Sequence, residues 1–357
     1  MLSQKILCLM TLVAKNPKIT SLGQATLFAS WRCVFVLVII ALYGCSNKPE
    51  VLTISGTKMG TSYHITVIAD QLPPDDLEQQ IEQLLAKVDN SMSTYKKDSE
   101  ISQFNRLPVG QTMAISQEFA EVVKISRQIW QLSNGAFDPT IGPLVDLWGF
   151  GPDERHESIP SSKTIELTKA QTGFDYVVLD EYKLSKTKAV ALDLSAVAKG
   201  YAVDRVADLL EMLALPDYLV EIGGEIRVSG FNSDGVLWRI AMEQPQLFAE
   251  VDKVINITDI AVATSGDYRN YFEKDGVRYS HTIDPLTGKP IVHNLASVTV
   301  LTQFCAEADA WATAFSVMGA EQSLKLAEQL DIAVYMLVRQ NGQFVPRTSA
   351  AFDLFVD

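Results

Sequence analysis

Two oxygen-bearing side chains in the segment CAEADAWATAF, residues 305–315, have the spacing of a cation site. Asp309 and Thr313 lie four residues apart, and on a helix that spacing puts both side chains on one face. A carboxylate and a hydroxyl so arranged suit Mg2+, which takes one or two carboxylates together with water and substrate phosphate. The alternative is an ordinary polar pair on a solvated helix face. Alanine and aromatic neighbours argue against it, because an aspartate in so apolar a helix needs a partner.

A histidine precedes a turn in the segment RYSHTIDPLTGKP, residues 278–290. His281 is one of four histidines in the chain. Asp284 with Pro285 fits the first two positions of a β-turn, and Gly288 relieves the backbone afterwards. An imidazole at a strand end beside an ordered turn can reach a substrate. A lone histidine at such a place is more often structural, so the residue types alone leave both interpretations open.

A third polar cluster begins the segment LDLSAVAKGYAVDRV, residues 192–206. Asp193 and Ser195 precede a predicted helix, and either residue can serve as its N-terminal cap. The same helix start offers free backbone N–H groups to an anion, and Lys199 adds a positive charge one turn in. An anion site and a capped helix with a surface lysine are both consistent with this pattern.

Two loops have unusual compositions. The segment NGAFDPTIGPLVDLWGFG, residues 134–151, combines glycines, prolines, phenylalanines and a tryptophan, which suits a rigid aromatic-lined wall. Gly223 and Gly224 interrupt a strand pair and let the backbone approach another group closely. Taken singly, each loop is more often explained by packing.

The elements that position these residues are mixed helices and strands. Apolar residues at helical spacing predict an amphipathic helix from about residue 77 and further helices over 118–132, 196–213 and 306–318. A strand-rich block lies between the last two, and Asn341-Gly342 predicts a terminal hairpin. We therefore expect an α+β fold with largely antiparallel sheets and flanking helices, in one large two-lobed unit. The sequence contains neither G-x-G-x-x-G after a first strand nor G-x-x-x-x-G-K-[ST].

The N-terminus is typical of an exported lipoprotein. Residues 1–44 contain four basic residues and no acidic residue, and they end in the apolar run VFVLVIIALYGC. That run is shorter than a bilayer-spanning helix, and its end resembles a lipobox that would make Cys45 the lipidated N-terminus. An uncleaved membrane anchor is the alternative. We expect a signal peptide over 1–44, a lipidated tether over 45–51 and the folded domain over 52–357.

The net charge and the cysteine content limit the possible partners and the possible disulfides. The net charge of the full chain is −13, and removal of the basic signal makes the mature chain more negative still, so nucleic acid is not an expected partner. Cleavage also leaves Cys305 as the one unmodified cysteine, which permits no internal disulfide. With either a lipidated or an uncleaved N-terminus, we expect the folded domain to lie outside the cytoplasm and to be tethered to a membrane.

Taken in order, several segments resemble one family: MGTSYHITV, STYKKDSEISQFN, NGAFDPTIGPL, LDLSAVAKGYAVDRV, EIGGEIRVSG, ATSGDYRNYF, SHTIDPLTGKP and ASVTVLTQFCAEADAWATAFSVMG. They are similar to the signatures of the FAD:protein FMN transferases, the ApbE family. The resemblance implies an ApbE-like fold and a lipoprotein that uses Mg2+ to cleave FAD. FMN would be joined through a phosphoester to a threonine of an acceptor protein, with AMP released. Such acceptors include flavoprotein subunits of membrane redox pumps. The resemblance also implies a lipid-anchored domain at the periplasmic face of the bacterial inner membrane, with outer-membrane anchoring as the alternative.

The resemblance also implies roles for individual residues. The implied metal contacts are Asp309, Thr313 and the backbone carbonyl of Ala196. The implied flavin contacts are Met59, Tyr95, Ala136, Phe137, Asp138, Asp193, Lys199 and Ile283. We further interpret His281 as the general base or proton relay at the acceptor hydroxyl, with Asp284 fixing or assisting it.

Two other functions would use the same pocket. An FAD pyrophosphatase would give FMN and AMP with water in place of the threonine, and acceptor dependence separates it from a transferase. A non-catalytic FAD-binding lipoprotein would hold FAD without turnover. The presence of Asp309, Thr313 and His281 argues against it, since binding alone needs no metal clamp beside a base.

Overall fold

A computed structural model describes residues 50–69, 71, 73–151, 158–243, 251–266, 271–274 and 276–356 of the protein. The predicted signal peptide, the lipobox and Cys45 lie outside these residues. In the part of the chain that is described, no helix combines the length and the apolar character needed to cross a membrane.

Amphipathic segments form eight α-helices within the described residues. Ser116 caps the helix that begins at Gln117 by accepting a hydrogen bond from the Phe119 amide, and Gly319, with φ 77°, ends the helix that begins at Cys305. The helices predicted at 118–132, 196–213 and 306–318 are therefore confirmed, each beginning one residue earlier than predicted. The helices are α1 (Leu77–Met92), α2 (Glu100–Arg106), α3 (Gln117–Leu132), α4 (Gly142–Leu147), α5 (Ser162–Lys169), α6 (Ser195–Met212), α7 (Cys305–Met318) and α8 (Ala320–Leu330).

The strands form mainly antiparallel hairpins. Asn341 and Gly342 both have positive φ, 51° and 79°, as a two-residue hairpin turn requires, so the predicted terminal hairpin is confirmed. The strands are β1 (Glu50–Lys58), β2 (Thr61–Ala69), β3 (Thr112–Ala114), β4 (Val177–Asp180), β5 (Lys183–Lys186), β6 (Asp217–Ile222), β7 (Glu225–Ser229), β8 (Trp238–Glu243), β9 (Val251–Ile257), β10 (Ile260–Gly266), β11 (Tyr271–Lys274), β12 (Val277–Ser280), β13 (Ile283–Asp284), β14 (Lys289–Pro290), β15 (Leu295–Thr302), β16 (Ala333–Gln340) and β17 (Gln343–Thr348).

The largest sheet in the described residues has eight strands in the order β1-β2-β6-β7-β10-β15-β16-β17. Every neighbouring pair in it is antiparallel. Its two faces bury different residues, because side chains alternate along a strand. In β6, Val220 and Ile222 join the main core with helices α1, α6 and α7, whereas Leu219 packs on the opposite face with the β8–β9 hairpin. The predicted α+β fold with antiparallel sheets is thus confirmed.

Helices α6 and α7 are held at one fixed register on the main face of this sheet. A Cβ atom at Gly200 would lie 2.3 Å from the carbonyl oxygen of Cys305, so the two backbones meet where α7 begins. One turn further along α6, the Asp204 carboxylate accepts the amides of Cys305 and Ala306 at 2.8 and 2.9 Å. Arg227 of β7 pairs with the same carboxylate at 3.0 Å. A side chain of α6 therefore caps α7, whose first amides would otherwise be unsatisfied.

We expect Asp204→Ala to lower the free energy of unfolding by about 3 kcal/mol, because two buried amides and Arg227 lose their shared acceptor. Asp208→Ala is the matched control. Asp208 lies one turn further along α6, 3.6 Å from Arg227 and more exposed, so its loss should amount to about 1 kcal/mol or less. Urea unfolding of both variants measures the difference. Equal losses would show that the cap does not fix the helix pair.

Candidate active site

A cavity of about 680 Å³ opens beside the contact between α6 and α7. This volume suits a cofactor-sized ligand. Its wall combines segments that are far apart in sequence, so the fold brings most of the predicted site together. The predicted residues that line it are Tyr95, Ala136, Phe137, Asp138, Asp193, Ala196, Lys199, His281, Ile283, Asp309 and Thr313.

Two predicted site residues are not among those that line the cavity. Met59 has a positive φ of 54° and packs against the main core. The Asp284 carboxylate accepts the Leu286 amide at 2.8 Å, and its carbonyl accepts the Gly288 amide at 2.8 Å. Asp284 thus stabilises the predicted turn that follows His281, and its assistance to the histidine stays a prediction.

The Asp309 carboxylate is the centre of the polar wall. Asp309 is only 5% exposed, and its Oδ2 accepts the Gly200 amide at 3.2 Å. Nζ of Lys199 lies 3.5 Å from the same oxygen and 2.8 Å from Oε1 of Glu225. Thr313, one turn along α7, lines the same cavity. The aspartate and hydroxyl pair predicted from spacing therefore does face one site, and the alternative of a solvated helix face is wrong.

Burial and mutual attraction shift the pKa values in this cluster. Burial lowers the pKa of Lys199, but the carboxylates of Asp309 and Glu225 outweigh that effect and raise it above its ordinary value. Burial and the neighbouring Asp309 carboxylate raise the pKa of Glu225, against the opposing effect of Lys199. The cluster thus pairs one buried ammonium with two carboxyl groups, so Lys199 is not the surface lysine that is the commoner case.

The helix beside Asp309 is irregular at the residue whose carbonyl the resemblance assigns to a metal. Ala196 has φ −89° and ψ 16°, which kinks the first turn of α6. In a regular helix the Gly200 amide donates to the carbonyl four residues earlier, at position 196. Here the Gly200 amide donates to Oδ2 of Asp309 at 3.2 Å. The backbone irregularity and this contact between α6 and α7 therefore lie within one turn of each other.

A divalent cation fits this wall by donor type. A carboxylate, a hydroxyl and a backbone carbonyl are all oxygen donors of the kind that Mg2+ binds. Within the described residues, no group of three or more His, Cys, Asp or Glu side chains is placed to hold a metal ion. A cation here would therefore depend on Asp309, Thr313 and the Ala196 carbonyl, with further ligands from substrate.

The start of α6 is tied to the glycine- and proline-rich loop. The Asp193 carboxylate accepts the Ser195 amide at 2.9 Å, and its own amide donates to the Pro139 carbonyl at 2.7 Å. In that loop, Asp138 accepts both the amide and the hydroxyl of Thr140 at 2.7 and 2.6 Å. Burial raises the pKa of Asp138. These bonds fix the loop as the rigid wall that its composition predicts.

His281 occupies the opposite part of the wall, between β12 and β13. Its ring meets Phe150 edge-on, with centroids 6.4 Å apart. Phe150 stacks on Phe272 at 5.5 Å, Phe272 on Tyr279 at 5.0 Å, and Tyr279 on Trp148 at 5.8 Å. This row of rings, together with the half-buried position of His281, orients an imidazole that still faces the cavity.

Glu225 is the site residue that sequence reasoning missed. It is 5% exposed, lines the cavity and begins β7 directly after Gly223 and Gly224. These glycines have φ 64° and 99°, and a Cβ at Gly223 would lie 3.3 Å from Cδ of Lys199. The close approach predicted for the glycine pair is thus to Thr61 and Lys199. The available signal was an acidic residue directly after the glycine pair, at the start of the next strand.

A cavity that brings a buried carboxylate cluster and an oriented imidazole together, on an antiparallel α+β scaffold, is typical of an enzyme's ligand site. The model of the ApbE family matches residues 59–336. The chain belongs to the ApbE family. The FAD:protein FMN transferase of Vibrio cholerae is 44% identical over 322 residues, covering 89% of this chain and 96% of that protein.

Solved structures agree with this assignment. The flavin transferase ApbE from Vibrio cholerae superposes with a TM-score of 0.81 at 43% identity, covering 86% of this chain and 100% of the other. The apo form of the Pseudomonas stutzeri flavinyl transferase ApbE gives 0.81 at 41% identity, covering 87% and 98%. The predictions of the family, of the fold and of an enzyme of the transferase class are confirmed.

The contact at Gly200 gives a test of how the site is held. We expect Gly200→Ala to lower the free energy of unfolding by roughly 2 kcal/mol, because its Cβ would force the helices apart. Gly142→Ala is the control, since a Cβ there would lie 3.8 Å from its nearest neighbour. Thermal unfolding of both variants is the measurement. A Gly200→Ala protein as stable as wild type would contradict the close packing of α6 on α7.

Proposed function

We propose that this protein transfers FMN from FAD to a threonine hydroxyl of an acceptor protein, with Mg2+, and releases AMP. The observation that carries the proposal is the Asp309 carboxylate, buried beside Thr313 in a cavity that also contains His281. The relatives named FAD:protein FMN transferase supply the donor and the kind of acceptor. The threonine, the phosphoester and Mg2+ go beyond what the names of these relatives state, and we propose them on the basis of the site residues.

The positions of the residues in the cavity wall suggest a role for each of them. Asp309, Thr313 and the Ala196 carbonyl would hold Mg2+, whose charge would neutralise the diphosphate and orient it. The glycine- and proline-rich loop, with Ala136, Phe137 and Asp138, would bind the flavin portion. Lys199 lines the same cavity and would place a further positive charge beside the diphosphate. The hydrogen bonds within the loop and at Asp193 hold these residues in place before the substrate binds.

His281 would move the proton. The acceptor hydroxyl is a weak nucleophile until a base takes its proton. As its oxygen bonds to the phosphorus on the FMN side, the bond between the two phosphates breaks, AMP departs and the hydroxyl proton passes to His281. A half-buried imidazole held by Phe150 suits this task, since its orientation is fixed without its being buried out of reach.

The acceptor and the location extend the proposal. We propose that the acceptor is a flavoprotein domain with an accessible threonine, such as a subunit of a membrane redox pump. A lipid on Cys45 would place the domain at the periplasmic face of the inner membrane. The support for the anchor is the sequence of residues 1–45.

The metal part is tested with the domain from residue 46 onward, FAD, Mg2+ and a threonine-bearing acceptor. We expect Asp309→Asn to abolish the covalent FMN adduct, because the cation loses its one carboxylate. Glu307→Gln, on the same helix but not lining the cavity, should retain activity. Mass spectrometry of the acceptor and measurement of released AMP are the readouts. AMP without an adduct would indicate a pyrophosphatase, and intact bound FAD would indicate a carrier.

The proton-transfer role predicts that His281→Gln lowers kcat by roughly 100-fold or more, with little change in FAD affinity. His64→Gln is the control. His64 is exposed, its Nδ1 lies 2.8 Å from Oε2 of Glu221, and it is not among the residues that line the cavity. Single-turnover rates with saturating acceptor measure the effect. Full activity of His281→Gln would remove the histidine from the mechanism.

A further inference from the structure

Glu225 is a buried carboxylate that the resemblance assigns to neither the flavin nor the metal. Its Oε1 lies 2.8 Å from Nζ of Lys199. Among the described residues, its Oε2 has no hydrogen-bond partner although that oxygen is buried. Retaining a carboxylate at such a position costs free energy unless its charge is used. The partner that it visibly has is Lys199.

Lys199 stands between two acceptors at unequal distances. The 2.8 Å contact with Glu225 is a charge-assisted hydrogen bond, whereas the 3.5 Å separation from Oδ2 of Asp309 is longer than such a bond. The ammonium is therefore held on the side of Glu225. Gly223 makes room for this position, because a side chain there would lie against Cδ of Lys199.

An ammonium and a divalent cation compete for Asp309. Both are attracted to the same carboxylate, and this attraction is stronger in a partly buried site than in bulk water. If Lys199 moved onto Oδ2, it would neutralise the charge that a metal needs. Oδ2 already accepts the Gly200 amide, so little capacity at that oxygen would remain.

We infer that Glu225 is a positioning residue that holds Lys199 off Asp309 and so keeps the Asp309 carboxylate available to Mg2+. The inference rests on the proposed function only in taking Asp309 as the metal ligand. Within the described residues, the ion pairs of Lys199 are those with Glu225 and Asp309. Loss of the Glu225 charge would therefore leave Asp309 as the remaining ionic partner of Lys199.

The experiment is a double-mutant cycle with Mg2+ binding as its readout, measured by calorimetry on the FAD-free protein from residue 46 onward. We expect Glu225→Gln to weaken Mg2+ binding by roughly tenfold or more, the scale of losses when a residue that orients a ligand is changed. Lys199→Met should bind Mg2+ at least as tightly as wild type. The double variant should match Lys199→Met within about twofold, since the competitor is gone.

Other outcomes overturn the inference. If Glu225→Gln weakens binding equally with and without Lys199, Glu225 is a direct ligand. If Glu225→Gln binds Mg2+ as tightly as wild type does, Glu225 is not required to hold Lys199 away from Asp309. Glu225→Asp, which keeps the charge, should retain affinity within about threefold, and a loss equal to that of the glutamine variant would also contradict the proposal. Thermal unfolding checks each fold, and the double variant decides the matter should Glu225→Gln alone unfold.

The same measurement separates this inference from the proposed function. Asp309→Asn should abolish Mg2+ binding if Asp309 is the ligand. Wild-type affinity in Asp309→Asn would overturn the metal site itself. A loss in Asp309→Asn without a loss in Glu225→Gln would overturn only the positioning role.

Discussion

The contact between α6 and α7 at Gly200 is the constraint on which the site depends. The backbones meet so closely that a Cβ would lie 2.3 Å from the Cys305 carbonyl oxygen. At that distance the Gly200 amide of α6 can donate a hydrogen bond to the Asp309 carboxylate of α7. Asp204, one turn on, fixes the register by capping α7. Three consecutive turns of α6 thus supply the kinked carbonyl at Ala196, the amide for Asp309 and the cap.

This arrangement explains how an acidic residue is tolerated in an apolar helix. Asp309 would be costly without partners, because a buried carboxylate loses its hydration. It receives an amide from α6 and stands near Lys199, which Glu225 holds from the sheet. Partners from a neighbouring helix and from the sheet therefore hold the Asp309 carboxylate in place before any ligand binds.

The sequence patterns correctly predicted those features that depend on residues close together in the chain. The helices, the Asn341-Gly342 hairpin and the shared face of Asp309 and Thr313 follow from spacing along one element. The pairing of Lys199 with Glu225 does not, because it depends on where β7 lies relative to α6. Likewise, the strand-rich segment INITDIAVATSG divides at Asp259, with φ 53°, into strands of two different sheets. Residue types alone do not show which sheet each half joins.

The two ends of the cavity are built differently, and this bears on the reaction. Asp309, Thr313 and Glu225 belong to helices and strands of the main core, where helix packing and the sheet fix them before any ligand binds. His281 lies between the short strands β12 and β13, outside the eight-stranded sheet, and its support is a row of stacked rings. Preorganisation is most valuable where charge must be stabilised. In the proposed reaction, FAD and Mg2+ would use the preorganised carboxylate cluster, and the acceptor hydroxyl would meet the imidazole of His281, which Phe150 orients.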